Sequence, residues 1–234
     1  MALIALDKET GKERWRAERN QGRGFSTPLL VPTPEGRVDL VLNGPRGVWA
    51  YDPRTGKEVW HCDRHDPASR DEQSKFGEPL PVFNRDTLFA ASGRPGPLQA
   101  IRLGGSGDVS KTAVLWEASR KGSRDVSSPL LWEDRIYAAD KDGALCCLDA
   151  ASGKVLFRER LGASAQASPV AVRGKLLYVL ENGDTVVMDP IATYKEIGRN
   201  TLEDGTPFRA SPAIADGRLF LRSQTHLYCI GEKK

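Results

Sequence analysis

Short apolar runs recur along the whole chain. They are four to seven residues long, rich in Val, Ile, Leu, Tyr and Phe, and bounded by Gly, Asp or Pro. None has the spacing that a buried helix face keeps over a dozen positions, and runs of this length between turn residues predict strands. The runs come in a fixed order. A first follows a proline, as in "STPLLV" at Ser26, "GEPLPV" at Gly77, "SSPLLW" at Ser127, "ASPVAV" at Ala167 and "ASPAIA" at Ala210. Proline is tolerated at the first residue of a strand, where its missing N–H does little harm. A second run follows a turn ("GRVDLVL", "DTLFAAS", "DRIYAAD", "GKLLYVL", "GRLFLRS"), and a third follows that ("GVWAYD", "LQAIRL", "ALCCLD", "TVVMD", "HLYCIG").

The third run usually ends on an aspartate, turns through Thr-Gly or Ser-Gly, and starts a fourth. The result is a repeated nine-residue stretch: "DKETGKERW" from Asp7 to Trp15, "DPRTGKEVW" from Asp52 to Trp60, and "DAASGKVLF" from Asp149 to Phe157. Looser copies run from Asp108 to Trp116 and from Asp189 to Ile197, so the aspartates are 45, 56, 41 and 40 residues apart. A period of this size marks an array of equivalent units. The aspartate can bond the turn backbone, and Gly11, Gly56 and Gly153 permit positive φ. The large residue eight positions on falls in the outer strand, where it can pack into the seam with the next unit. On this reading Asp7, Trp15, Asp52, Trp60, Asp108, Trp116, Asp149 and Phe157 dock one unit on another.

Four antiparallel strands per unit make a propeller blade. The predicted fold is therefore an all-β β-propeller of four-stranded antiparallel blades. Full units fall at about 24–63, 74–119, 124–161 and 165–201, with a partial blade at 1–20 and an incomplete last blade at about 207–231, or about five blades in one domain spanning 1–234. "LIALDKETGKERW", "VWAYDPRTGKEVW" and "LCCLDAASGKVLF" resemble the PQQ-like, quinoprotein-type β-propeller repeat, and are similar to bacterial outer-membrane-assembly propeller lipoproteins. The resemblance implies a ring of eight blades, for which roughly 320 residues are needed at about 40 per blade. The chain thus reads as the C-terminal portion of a larger propeller. An open arc would leave strand edges unpaired. The opening strands, of the same chain or of a second one, could cover the edge left by "HLYCIG".

Composition narrows the partners. The net charge is +3, from 34 basic and 31 acidic residues, with no basic stripe of the kind that nucleic acid requires. No apolar run approaches a membrane span. The opening "MALIAL" lacks the basic start, apolar core length and cleavage site of a signal peptide.

Candidate chemistry is sparse. Cys146 and Cys147 are adjacent, and some quinoprotein alcohol dehydrogenases, which the fold resembles, carry a vicinal disulfide beside the quinone. The plainer reading makes them small apolar residues, matching Ile4 and Ala5 of the first repeat. His61, Asp63 and His65 alternate in "HCDRHD", so one strand face could offer all three to a divalent metal; the alternative is a solvated loop. Cys62 and Cys229 stand apart, and no zinc spacing or phosphate loop is present.

The expected function is a non-catalytic binding or scaffold propeller without a cofactor, in the periplasm or cell envelope of a bacterium. Its loops would be presented to a protein or extracellular polymer partner, and self-association through unpaired blade edges is also expected. The alternative left open is a PQQ-dependent, quinoprotein-type oxidoreductase with calcium, its site lying partly in sequence outside this chain. A third is a metal- or carbohydrate-associated propeller.

Overall fold

The computed structural model describes residues 1–20, 24–44, 46–64, 79–92, 97–119 and 126–232. Among them every regular element is a β-strand. Among the described residues no helix is long and apolar enough to cross a membrane. The chain forms two compact units, Met1–Ser119 and Arg120–Lys234.

In the first unit, β1 (Ala2–Leu6) and β2 (Glu13–Glu18) form a two-stranded antiparallel sheet. Next come β3 (Leu29–Pro32), β4 (Val38–Gly44), β5 (Gly47–Tyr51) and β6 (Glu58–Asp63), antiparallel in chain order. The third sheet holds β7 (Val82–Phe83), β8 (Thr87–Ala91) and β9 (Leu98–Arg102). Its outer strand is β11 (Val114–Ala118), while β10 (Gly107–Asp108) crosses back to pair in parallel with β6. The Asp108 repeat therefore departs from its siblings. Its third strand ends at Arg102, and the inserted "GGSG" carries Asp108 out beside His61 instead of leaving it at the strand end.

In the second unit, β12 (Leu130–Trp132), β13 (Arg135–Ala139), β14 (Ala144–Asp149) and β15 (Val155–Arg160) make one antiparallel sheet. A second is made by β16 (Val170–Val172), β17 (Lys175–Val179), β18 (Asp184–Met188) and β19 (Glu196–Thr201). The third has β20 (Ala213–Ala215), β21 (Arg218–Arg222) and β22 (Leu227–Ile230), with β22 at its edge.

Local chemistry explains why the repeats fold alike. In the first nonamer, Asp7 Oδ1 accepts the backbone N–H of Thr10 at 2.9 Å, and Gly11 N–H donates to Asp7 O at 2.8 Å. Asp149 does the same with Ser152 at 2.8 Å and Gly153 at 2.9 Å. These bonds close a turn that can only end in positive φ, near +70° at Gly11 and Gly153. Just before each turn the strand pairing slips, at Ala5/Leu6, Ala50/Tyr51, Cys147/Leu148 and Val187/Met188. A bulge at the same place in four sheets gives each outer strand the same extra twist.

A single sheet cannot bury its faces, and neighbouring sheets supply the cover. In the first unit, Val48, Ala50 and Trp60 of one sheet form a core cluster with Leu88, Ala90 and Ile101 of the next. In the second, Tyr137, Leu145 and Cys147 meet Leu176, Tyr178 and Met188. A smaller cluster joins Val179 to Leu221, with Phe208 and Ala167. In the second unit the serine before each strand-opening proline adds a polar tie: Ser128 N–H donates to Ser168 Oγ at 2.9 Å, and Ser168 N–H to Ser211 Oγ at 3.0 Å.

Candidate functional site

Opposite ends of the strands carry different chemistry. At one end lie the nonamer turns. At the other, in the second unit, the β13–β14, β17–β18 and β21–β22 hairpins meet the segments that lead from one sheet to the next. Ser164 Oγ donates to Lys141 O at 2.7 Å, Glu181 N–H to Ser164 O at 2.8 Å, and Phe208 N–H to Glu181 O at 3.1 Å. Side chains extend the network: Glu181 accepts from Arg209 Nε at 2.6 Å and from Gln166 Nε2. Beside Arg209 opens a pocket of about 230 Å³ lined also by Pro207, Ala210, Arg222, Ser223 and Gln224. This polar rim is held by backbone bonds and ends in exposed charged groups, a form suited to gripping a partner's surface.

Asp204 is the hub of the rim. Its side chain has no exposed surface. Its Oδ2 accepts from Ser223 Oγ at 2.8 Å and Tyr228 OH at 2.5 Å, and lies 2.9 Å from His226 Nδ1. Oδ1 accepts from the Thr225 hydroxyl at 3.0 Å and from that of Thr206. The hydroxyls of Thr206 and Tyr228, ahead of those of Ser223 and Thr225, hold the Asp204 carboxyl well below the usual carboxylate range. The same bond raises the Tyr228 phenol. A group whose folded pKa is depressed stabilises the fold in full above its unfolded value of 3.8 and loses that contribution as pH falls through the folded value. The stability gap between the native chain and Asp204→Asn should therefore be widest near pH 6 and shrink below pH 3.8. Denaturant titrations at a series of pH values would show this; a gap that widens in acid would refute the hub.

In the first unit the corresponding strand ends surround Arg64, which is buried. Its Nη2 donates to Asn43 Oδ1 at 2.8 Å and its Nε to Gln99 Oε1 at 3.1 Å, while Gln99 Nε2 donates to Glu117 Oε1 at 2.6 Å. Asn43 Nδ2 also ties down Pro79 O and Ala91 O, at 2.9 and 2.8 Å. Neutral amides thus relay the arginine's charge toward a carboxylate.

The residues singled out in the sequence are dispersed. Trp15 Nε1 donates to Pro53 O at 3.0 Å, and its ring lies over Gly56. Trp60 is buried and donates from Nε1 to Asp39 Oδ2 at 2.8 Å, within the cluster that contains Val109 and Ala113. Phe157 packs against Tyr194, ring centroids 6.0 Å apart. In all three the large residue of one nonamer meets the turn region of the next. Trp116 packs on Phe89 of its own sheet, the ring centroids 5.8 Å apart and the planes tilted by 30°. Asp52 Oδ1 accepts from Arg54 N–H at 2.7 Å, and Asp108 Oδ1 from Ser110 Oγ at 2.5 Å.

His61 and Asp63 both lie in β6, and His65 lies outside the described residues. His61 Nδ1 is 2.9 Å from Glu58 Oε1, its Nε2 is 3.8 Å from Asp108 Oδ1, and its ring stacks on Trp49. Among the described residues no group of three or more His, Cys, Asp or Glu is placed to hold a metal ion.

Cys146 and Cys147 are buried on opposite faces of β14, as adjacent strand residues must be. Burial pushes the Cys147 thiol up to about 12, and Cys147 shares its face with Tyr137. A thiol held protonated by burial, with no cluster of three or more His, Cys, Asp or Glu among the described residues, does not fit a quinone–calcium site. The rim residues Glu181, Asp204, Arg209 and His226 were not legible as a set. Their one sequence signal is position: each lies in a central hairpin or in a segment joining two sheets.

Comparison with known proteins identifies what carries this architecture. Residues 1–109 and 107–193 match the family described as outer membrane protein assembly factor BamB. The outer membrane protein assembly factor BamB of Escherichia coli (strain K12) is 24% identical over 189 residues, covering 77% of this chain and 43% of the relative. That of Shigella dysenteriae is 24% identical over the same span. The chain thus spans less than half the length of the curated relatives it matches. Among solved structures, BamB from Moraxella catarrhalis superposes with a TM-score of 0.73 at 16% identity, covering 95% of this chain and 64% of that one. The computationally designed Ika8 protein gives a TM-score of 0.52 at 13% identity, over 94% and 75%. At these identities the likeness is one of fold, and it makes the all-β sheets blades of β-propeller type. The repeats, the blades and the match over most of its length together place this chain in the BamB family of outer membrane protein assembly factors.

Proposed function

We propose that this chain is a non-catalytic, protein-binding scaffold in the bacterial cell envelope, acting in the assembly of outer membrane proteins. The carrying observation is the family match over residues 1–193. The rim supports it chemically. Scaffolds need a surface that keeps its shape before the partner arrives. In the second unit that surface is fixed by the backbone bonds among Lys141, Ser164, Glu181 and Phe208 and by the Asp204 hub. Arg209, Arg222 and His226 offer exposed cationic or polar groups around it, and these give a partner specificity and orientation more than raw affinity. In the same reading the nonamer aspartates and large residues have a structural role: they dock one blade on another.

Site-specific photo-crosslinking in envelope preparations tests the proposal. A crosslinker at Asn182 or Gln224, on the rim, should capture a component of outer membrane protein assembly. A crosslinker at Lys154, in a nonamer turn, should not. Capture at Lys154 alone, or at none of the three, would overturn the reading, as would quinone-dependent dehydrogenase activity of the chain with calcium.

A further inference from the structure

The chain contains two Asn-Gly steps, Asn43-Gly44 and Asn182-Gly183. Glycine has no Cβ to shield its amide nitrogen, so that nitrogen can reach the side-chain carbonyl carbon of the asparagine before it. The two steps are chemically alike, and the fold sets them in opposite surroundings.

Asn43 lies in β4, is fully buried and has both ends of its amide engaged. Nδ2 donates to Pro79 O at 2.9 Å and to Ala91 O at 2.8 Å, while Oδ1 accepts from Arg64 Nη2 at 2.8 Å. To turn its Cγ toward the Gly44 nitrogen, Asn43 would have to give up these bonds away from solvent, which leaves buried polar groups unsatisfied.

Asn182 sits at the apex of the β17–β18 hairpin and is exposed. Its amide is held from within the same turn: Nδ2 donates to Asp184 Oδ2 at 3.0 Å, and Oδ1 accepts the Asp184 N–H at 3.2 Å. That N–H points at the oxygen on which negative charge develops when the carbonyl carbon is attacked. Asp184 is itself anchored, by Arg199 Nη1 at 3.0 Å and Thr201 Oγ1 at 2.7 Å, so the amide keeps this orientation. The attacking nitrogen is restrained by the bond from Gly183 N–H to Leu180 O at 3.0 Å. A bond at a hairpin apex opens locally, without the sheet opening.

Packing fixes the glycine of this step, because Leu202 O lies where a Cβ would go. The asparagine is under no such constraint. In the preceding sheet the residue before the equivalent Gly143 is Asp142, so a carboxylate at this place in the hairpin is compatible with the fold. There Lys141 Nζ pairs with Asp142 at 3.3 Å. Asn182 instead follows Glu181 and is two residues before Asp184, so a carboxylate formed at this position meets like charge on both sides.

We propose that the fold leaves Asn182, and not Asn43, open to spontaneous deamidation, a modification that adds a negative charge to the rim. The Gly183 nitrogen bonds to Asn182 Cγ, and its proton passes through water to Nδ2. The Cγ–Nδ2 bond breaks and ammonia leaves, closing a cyclic imide. Water then opens the imide. Cleavage of the new N–Cγ bond gives aspartate; cleavage of the original peptide bond gives isoaspartate, with the main chain running through Cγ and one carbon longer. Nothing is oxidised or reduced, and water is the co-reactant. Either product puts charge next to Glu181, the carboxylate that Arg209 Nε grips at 2.6 Å. Isoaspartate also lengthens the turn that positions Glu181 and Gly183.

The full chain is incubated at mildly alkaline pH, once folded and once in denaturant, and followed by peptide-mapping mass spectrometry. Isoaspartate is located by labelling with an isoaspartyl methyltransferase. In the folded chain the peptide with Asn182 should gain one mass unit and the isoaspartyl label while Asn43 persists. The two rates should differ by roughly tenfold or more, since Asn43 reacts only through a larger opening of its sheet. In denaturant both should convert and the difference should collapse, because the fold and not the neighbouring sequence sets it. A folded chain in which Asn182 lasts as long as Asn43 would overturn the proposal. So would a difference that persists undiminished in denaturant.

Discussion

Trp60→Ala is expected to lower stability by about 3–5 kcal/mol, the range for truncating a fully buried tryptophan. The side chain is 1% exposed. It fills the seam between two sheets, where Ile101, Leu103 and Val109 surround it, so the space it leaves cannot close without moving a whole sheet. The indole also donates to Asp39 Oδ2, on a fully buried carboxylate that Arg37 grips through both oxygens, Nε to Oδ1 at 2.6 Å and Nη2 to Oδ2 at 3.1 Å. Losing the N–H strips one of that carboxylate's donors and adds the penalty of an under-satisfied buried acceptor. Trp60→Phe, which keeps most of the volume and loses only the donor, should therefore fall well short of alanine. Trp15→Ala should also cost less, because that ring is only partly buried. Denaturant unfolding of the three variants measures this directly; a Trp60→Ala loss below about 1 kcal/mol would mean that the seam is not packed as described.

The second large effect comes from a glycine. Gly183 sits at φ +93°, and a Cβ added there would lie 2.3 Å from Leu202 O. Gly143, its equivalent one sheet earlier, has φ +76° and would place a Cβ 2.0 Å from Ala163 O. In both, the glycine carbonyl accepts an N–H from the segment leading to the next sheet, from Leu202 at 3.1 Å and from Leu161 at 2.9 Å. At Gly183 the obstructing atom, Leu202 O, itself accepts the Asp204 N–H at 3.0 Å, so it has little room to move. Left-handed strain of about 1–2 kcal/mol and overpacking of about 1–3 kcal/mol put Gly183→Ala at about 2–5 kcal/mol. Gly174 is the control: it has positive φ too, but nothing lies within 4 Å of an added Cβ. Gly174→Ala should show the conformational strain alone. Equal losses at the two sites, by thermal or denaturant unfolding, would refute the close-approach argument.

The two predictions rest on features of unequal legibility. A tryptophan eight residues after an aspartate, three times over, is visible in the chain. The Gly183 contact is not, because "ENG" reads as an ordinary hairpin turn and Leu202 lies far along the chain. In the second unit the serine before each strand-opening proline is equally visible and equally silent. Its proline marks a strand start, but only the packed sheets show that Ser168 and Ser211 take up a neighbour's amide. The Asp108 repeat shows the opposite error. Its nine-residue match was real, yet four inserted residues moved the aspartate from a strand end to a parallel bridge beside β6.

What the sequence determined by itself is the repeating blade, and through it the all-β propeller class and the family. Alternation, turn residues and the nonamer are local signals. They act over a few residues and are written again in each unit, so noise in one copy is corrected by the others. What only the tertiary structure decided is which unit touches which, and with what chemistry. Asp204 becomes a hub because Thr206, Ser223, Thr225, His226 and Tyr228 converge on it from two segments that are separate in the chain. Cys146 and Cys147, side by side in sequence, are turned to opposite faces by the pleat. A local pattern specifies what a surface is made of; whether that surface is core or interface depends on what folds against it.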